Sequence, residues 1–448
     1  MAPNPKVFAA RKGDGDLIIA GGRVMDPKNM VDRQADLHIK GGQIARIETE
    51  SRLSAEKIEK AGTEVVDARG KVVCPGLVDI HVHFREPGRE DEETVLSGSM
   101  AAVAGGFTSV CCMPNTDPAI DSQEIVRFIY RQAERAYCKV YPIAAITRGR
   151  KGAQLNDIAE LRAAGAVAIS DDGSPVESAL IMRRALQYAR QFDMPVASHC
   201  EDLSLAAGGA MHEGFVATKV GMCGIPSLAE ELIVAREIEL AADTGGRVHI
   251  CHISTARSVA LVRDAKKRKV KVTAEATPHH FTLTDELIAE KFDTNLKVNP
   301  PLRTQADVRA VIKGLQDGTI DCIATDHAPH AEEEKELEFD HAPFGLIGLE
   351  TALPLGLTEL VAKKKLDLAS LLALFTWRAA AVFGLPAGDL APGSGADVCV
   401  FALAETCAVD ANQFYSRSQN SPYVGRTLQG RVHQTVVDGV VVFDRRRA

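Results

Sequence analysis

Between residues 76 and 380 the chain repeats one pattern eight times, a short apolar run followed in most cases by an amphipathic stretch. The runs cover residues 78–83, 107–113, 140–146, 166–172, 195–199, 248–252, 270–275 and 321–326. Each is of strand length, and the gaps between them, such as 121–137, 175–192, 227–243 and 255–267, carry apolar residues at helical spacing. Strand and helix in alternation dictate parallel pairing, because a parallel pair needs a long crossover and the helix supplies it. Eight such units predict an α/β fold, a (β/α) eight-stranded barrel, with a doubly wound open sheet as the competing arrangement.

The two ends of the chain read differently. Residues 16–75 break into short strands and tight turns, DLIIA-GG-RVMD, ADLHIK-GG-QIARIE and EVVDA-RG-KVVC, which predicts hairpins and a small antiparallel sheet. ADVCVFAL and GRVHQTVVDGVVVFD repeat the style near the C-terminus. A short sheet is marginal alone, so residues 1–75 and 386–448 are expected to pair into one small β-sandwich domain. The catalytic barrel, residues 76–385, is then an insertion between its halves.

Composition narrows the partners. With 46% hydrophobic and 25% charged residues and a net charge of -8, the chain is globular and offers no basic surface for nucleic acid or an anionic membrane. Small molecules remain as partners. No apolar run reaches transmembrane length, and MAPNPKVFAARKGDGD lacks the apolar core of a signal peptide, so a cytoplasmic location is expected. The ten cysteines form no CxxC pair and are expected to be mostly buried thiols.

The first barrel run carries His81 and His83, two residues apart, so a strand places both imidazoles on one face. Pro87-Gly88 turns the chain just beyond them. An isolated HxH is equally compatible with core imidazoles. Four further runs, however, end at or near a metal-binding residue type: Asp172, His199, His252 and Asp326. In a barrel these ends ring one mouth. A helix cap, a core imidazole or a turn explains any one of them, and does not explain five strand ends at once. Four histidines and two carboxylates suit zinc, and two zincs about 3.5–4 Å apart call for a bridging carboxylate. Asp172 stands between the pair His199 and His252 and the set His81, His83 and Asp326, within reach of both. Strand alternation turns Asp171 and His249 away, into supporting or packing roles. Arg85, two residues past His83, faces the same mouth if the strand continues, and a guanidinium there can clamp a carboxylate.

DIHVHFREPG, CCMPNTDP, SDDGSP, SHCED, CHIST, VNPPLR and ATDHAPH followed by HAPFG resemble the motifs of class I bacterial dihydroorotases, in the amidohydrolase superfamily. The resemblance spans nearly the whole chain. It implies two Zn2+ per chain, one on His81, His83 and Asp326 and one on His199 and His252, bridged by Asp172 and a hydroxide. It implies substrate contacts at Arg85, Asn115, Asn299, His330 and the Phe344-Gly345 backbone. The implied activity is reversible cyclisation of N-carbamoyl-L-aspartate to L-dihydroorotate in pyrimidine (UMP) biosynthesis, with Asp326 as base and acid in turn. A homo-oligomer, and a complex with aspartate carbamoyltransferase, belong to the same expectation. Two alternatives are another cyclic amidase, of hydantoinase or allantoinase type, and a non-catalytic dihydroorotase-like partner of the carbamoyltransferase. Hydantoinases and allantoinases bridge their metals with a carboxylated lysine, whereas strand four here ends Ile169-Ser170-Asp171-Asp172. A non-catalytic partner would be expected to lack ligands, and all six positions are filled. The acidic segment 330–343 reads either as a mobile lid or as a solvated face.

Overall fold

The computed structural model describes residues 7–11, 16–49 and 64–447, so most of the N-terminal stretch read for a signal peptide lies outside the described residues. The first five strands are β1 (Leu17–Asp26), β2 (Val31–Lys40), β3 (Gln43–Glu48), β4 (Glu64–Asp67) and β5 (Val72–Pro75). Next comes the central α/β region, with β6 (Leu77–Val82), β7 (Phe107–Cys112), β8 (Lys139–Pro142), β9 (Ile169–Ser170) and β10 (Val196–Ser198). After a minor ladder, β11 (Met211–His212) with β12 (Gly224–Ile225), it continues through β13 (Val248–Ile250), β14 (Val272–Ala276) and β15 (Cys322–Ile323). The chain returns to the outer sheet with β16 (Val398–Ala408), β17 (Thr427–Val437) and β18 (Val440–Asp444).

The two ends of the chain do form one sheet, in the order β18-β17-β16-β5-β1-β2-β3, joined where Cys74 of β5 faces Cys399 of β16. The hairpin turns at Gly41-Gly42 and Asp438-Gly439 hold all four residues at positive φ, which glycine tolerates without strain. Two expectations fail. Gly21-Gly22 is no turn, because β1 runs straight through it with a register shift between Ile19 and Gly22, a bulge. Nor is the sheet wholly antiparallel. β4 lies parallel to β1 along Leu17–Ala20 and β5 lies parallel along Arg23–Val24, so the two are successive segments of one path laid beside β1. A Cβ on Gly22 would meet Val73 Cγ2 at 2.4 Å, so glycine is required where the two paths cross the bulge. The sandwich takes the form of this one sheet curled on itself. Leu37, Val24, Val73, Val400 and Val436 share a core, and Ala396 N–H donates to Gly42 O while Gly439 N–H donates to Ala396 O. The other face, with Cys399, Phe401, Val432 and Phe443, packs against Phe107 and the helix Val95–Ala104.

The central strands are all parallel and fall into two ladders, β6-β7-β8 and β9-β10-β13-β14-β15. Both seams between the ladders are bridged. Ala144 pairs with Ile169 and Val82 pairs with His327, with hydrogen bonds of 2.8 Å from Ser170 N to Ala144 O and from His83 N to His327 O. Asp79 pins the second seam by accepting from Thr325 N–H at 3.1 Å. The sheet is thus closed, an eight-stranded barrel filled by Val78, Ile80, Cys111, Ile143, Ala168, Ala197 and Cys322. Thr94, Ser122, Ser178, Thr255 and Thr304 each cap a following helix through a side-chain oxygen, worth about 1 kcal/mol apiece. All ten cysteines are free thiols and eight of them are buried. Among the described residues no helix is long and apolar enough to cross a membrane.

Candidate metal centre at the mouth of the barrel

Strand ends bring the six candidate ligands together. His81 lies inside β6 and His83 just past its end, while Asp172, His199, His252 and Asp326 follow β9, β10, β13 and β15 within three residues. His252 and Asp326 adopt left-handed backbone with φ of 31° and 51°, a conformation that costs energy in non-glycine residues and collects at functional sites. On one side of the centre His83 Nε2 lies 3.0 Å from Asp326 Oδ1, and His81 Nε2 lies 3.5 Å from the same oxygen. On the other, His199 Nδ1 lies 3.0 Å from His252 Nε2. Asp172 spans the two. Its Oδ1 is 3.5 Å from His81 Nε2 and 3.6 Å from His252 Nε2, and its Oδ2 is 3.6 Å from His83 Nε2.

Contacts behind the rings set their orientation. His81 Nδ1 donates to Glu275 Oε1 at 2.6 Å, and His83 Nδ1 donates to Asn115 Oδ1 at 2.8 Å. Each ring therefore directs its Nε2 toward the centre, the orientation a metal-binding imidazole needs. Glu275 is fixed in turn by His249 Nε2 at 3.1 Å. Burial pushes the Glu275 carboxyl up, but His81 and His249 outweigh it and bring it down to about 2, so the anion persists. Burial likewise opposes ionisation of Asp172, and the surrounding imidazoles, His81 first, hold it well below the usual carboxylate range.

A divalent metal fits this donor set. His81 Nε2 and Asp172 Oδ1 are buried without any hydrogen-bond partner. Bare lone pairs this close repel one another unless a cation lies between them. Bonds of about 2.0–2.1 Å to tetrahedral zinc put neighbouring ligand atoms about 3.3 Å apart, which falls within the observed spacings. Asp326 keeps 11% of its side-chain surface exposed against 4% for Asp172, so it is the carboxylate of the set that the mouth can reach.

The other expected site residues join the same network. Arg85 Nε donates to the Pro329 carbonyl at 3.2 Å, and its Nη2 lies 3.4 Å from His330 Nε2. His330 Nε2 donates to Phe344 O at 2.8 Å. Gly345 N–H donates to Lys297 O, and Gly345 O accepts from Lys335 Nζ at 3.0 Å, so these backbone groups are engaged within the protein. Gly345 is also sterically required, since a Cβ would sit 2.8 Å from Ala328 Cβ and 2.9 Å from His330 Nε2. Asn299 Nδ2 donates to the Glu201 carboxylate at 3.1 Å, which leaves its carbonyl oxygen as the group it can offer. Asp171, turned away as alternation requires, accepts from Thr147 N–H at 3.1 Å. The segment 330–343 is tied to its surroundings through Arg89 to Glu334 at 2.9 Å and Lys335 Nζ to Gly345 O at 3.0 Å.

Sequence reasoning missed Glu275, Glu201 and Glu92. Glu275 ends an apolar run, a position whose chemistry a strand-end reading could have found. Glu92 lies in the charged stretch 89–93 and Glu201 follows the His199 motif, and the two are 3% and 9% exposed.

A family model described as dihydro-orotase-like matches residues 70–258. A protein from Pelotomaculum thermopropionicum named dihydroorotase is 52% identical over 430 residues, covering 96% of this chain and 99% of its own. One of the same name from Solibacter usitatus is 49% identical, covering 96% and 98%. Among solved structures, an L-hydantoinase (dihydropyrimidinase) from Arthrobacter aurescens superposes with a TM-score of 0.85 at 26% identity, covering 96% of both chains. A D-hydantoinase from a Thermus species reaches 0.80 at 25% identity, covering 96% of this chain and 95% of its own.

Proposed function

Because the chain belongs to the dihydroorotase family, we propose that the site described above interconverts N-carbamoyl-L-aspartate and L-dihydroorotate in pyrimidine synthesis. The protein is a cyclic amide hydrolase of the amidohydrolase superfamily. The observation that carries the substrate is the meeting of Arg85 with the six-residue cluster at one mouth. A neutral cyclic amide has no use for a buried guanidinium, whereas dihydroorotate presents a carboxylate to it. The hydantoinase likeness lies in the fold, at about half the sequence identity of the dihydroorotase relatives. The absence of a lysine at the end of β9 supports the same choice.

The reading assigns two zinc ions, with His81, His83 and Asp326 holding one, His199 and His252 the other, and Asp172 between them. Metal bound there supplies Lewis acidity toward the ring carbonyl and lowers the pKa of water. The residues do the rest. Arg85 receives the substrate carboxylate, with Asn115, Asn299, His330 and the Phe344-Gly345 segment around it. In ring opening, water adds to the ring amide carbon and the carbon–nitrogen bond breaks. Asp326 accepts a proton from the water and returns it to the departing nitrogen. Ring closure runs these steps backward and takes up one proton overall, since a carboxylate becomes an amide. The equilibrium therefore moves toward dihydroorotate as pH falls.

Self-association, a carbamoyltransferase partner and a cytoplasmic location complete the proposal. Exposed Leu228 and Leu232, one turn apart on the helix Ser227–Thr244, support the first. The deciding experiment measures turnover of dihydroorotate, hydantoin and allantoin by the purified protein alongside its metal content. Preference for either of the latter two, or turnover that survives complete metal removal, would overturn the assignment.

A further inference from the structure

A clamp is only as good as its orientation, and Arg85 is oriented by a residue outside the metal centre. Arg85 Nε lies 2.9 Å from Glu92 Oε2 and 3.2 Å from the Pro329 carbonyl, so the inner edge of the guanidinium is held, with Nη2 3.4 Å from His330 Nε2. Glu92 is almost fully buried. Its other oxygen lies 3.1 Å from Arg89 Nη2 and 3.5 Å from His330 Nδ1. One buried carboxylate thus touches the carboxylate clamp, the histidine beside it and a second arginine that reaches Glu334 at 2.9 Å. Glu92, His330 and Glu334 also approach closely enough to share a cation. Arg85 and Arg89 stand among them and already balance the charge, so the cluster is an ion-pair network and not a metal site.

Resting on the proposed function, we propose that Glu92 is the positioning residue of the substrate-carboxylate wall, holding Arg85 and His330 in the geometry that receives dihydroorotate. It takes no part in the chemistry. Its ion pair with Arg85 steers a planar fork whose value lies in its direction, and a guanidinium released from it would turn to another carboxylate. Asp326 and Glu334 are both near enough for their charges to act on Arg85. Turning toward either would remove the clamp from the substrate, and turning toward Asp326 would also load the proton carrier with a competing partner.

The test uses the full-length, metal-loaded enzyme and the variants Glu92→Gln, Glu92→Asp, Arg85→Met and Arg85→Met with Glu92→Gln. Glu92→Gln should raise KM for dihydroorotate roughly tenfold, the scale of one charge-assisted contact, while kcat falls less than about threefold. Metal per chain should be unchanged. Dihydrouracil, read as substrate or as competitive inhibitor, should be indifferent. The decisive arm is the double variant, which should be no worse than Arg85→Met alone, because Glu92 acts through the arginine. Glu92→Asp should recover part of the loss, and it carries the same comparison if the Gln variant does not fold. A merely structural Glu92 would lower thermal stability, weaken both ligands alike and add its effect to that of Arg85→Met. That pattern, or an unchanged KM in Glu92→Gln while Arg85→Met is impaired, overturns the inference and leaves the proposed function standing. A wild-type enzyme that does not act on dihydroorotate overturns both.

Discussion

Two clusters of charge share the barrel mouth, one buried and one reaching the surface, and they are built on opposite terms. In the ligand cluster bare nitrogen and oxygen lone pairs face one another, His81 Nε2 and Asp172 Oδ1 have no partner, and two of the residues sit in strained backbone. In the wall cluster the signs alternate. Arg85, Glu92, Arg89 and Glu334 are each within 3.1 Å of the next, with His330 between the carboxylates. A buried charge is costly unless paired, so the first arrangement suits a bound cation, whereas the second pairs its charges within the chain. The contrast separates a site open to an added ion from one that is pre-organised. It also says where substitutions should be read: in metal content for the first cluster, in substrate selectivity for the second.

The largest effect should come from Asp326, the more exposed of the two carboxylates among the candidate ligands. Asp326→Asn can neither accept nor return a proton, and turnover should fall by roughly a hundredfold to ten-thousandfold in both directions, with circular dichroism unchanged. A rate near that of the wild type would remove Asp326 from the proton path. Next, His252→Ala should strip metal preferentially from the His199 side and leave the His81, His83 and Asp326 side loaded. Metal analysis that finds both sites equally depleted, or neither, would break the division of the cluster into two halves.

How much of this contrast could be read in the sequence follows from what is local. HxH within an apolar run places two candidate ligands together because a strand puts alternate residues on one face, and the repeat of strand and helix then brings the remaining four candidates to the same rim. Gly21-Gly22 shows the opposite case. The same dipeptide makes a hairpin at Gly41-Gly42 and a bulge here, and the choice is made by β4 and β5, more than forty residues away. Glu92 was hidden in the run Arg89-Glu90-Asp91-Glu92-Glu93, which has the composition of a solvated face. Its burial and its distance to Arg85, both tertiary facts, distinguish it from the exposed Glu90 and Asp91. The acidic run Glu332-Glu333-Glu334 was ambiguous for the same reason, and Glu334 is resolved by its contact with Arg89.

The wall cluster makes a sharper claim about selectivity. Arg85→Lys keeps the charge and loses the planar fork, so the specificity constant for dihydroorotate should drop about tenfold or more while metal stays bound. Dihydrouracil should respond little. Equal losses on the two substrates would mean that Arg85 is not the carboxylate clamp, and the wall would then be a structural feature of the mouth.

The smallest expected effect tests whether the wall is as self-balanced as it looks, and it concerns Lys335. This lysine is 8% exposed and donates to the carbonyls of Pro343 and Gly345, holding the segment that backs His330, and among the described residues no carboxylate forms an ion pair with it. Burial, with the nearby charge of Lys297 in second place, lowers its pKa to about 7. The unfolded chain titrates near the ordinary value of about 10.4. Between those values the unfolded state binds the proton that the folded state has released, so this group makes stability rise with pH across the window and contributes no slope below about 7. Lys335→Met removes the term. Wild type should therefore gain stability over the variant from pH 7.5 to 9.5, by on the order of 1–3 kcal/mol, read as the difference between urea midpoints at each pH. Other alkaline titrations occur in both proteins and cancel in that difference. Parallel profiles would show that Lys335 keeps an ordinary pKa, hence that a countercharge reaches it and the wall holds no uncompensated cation.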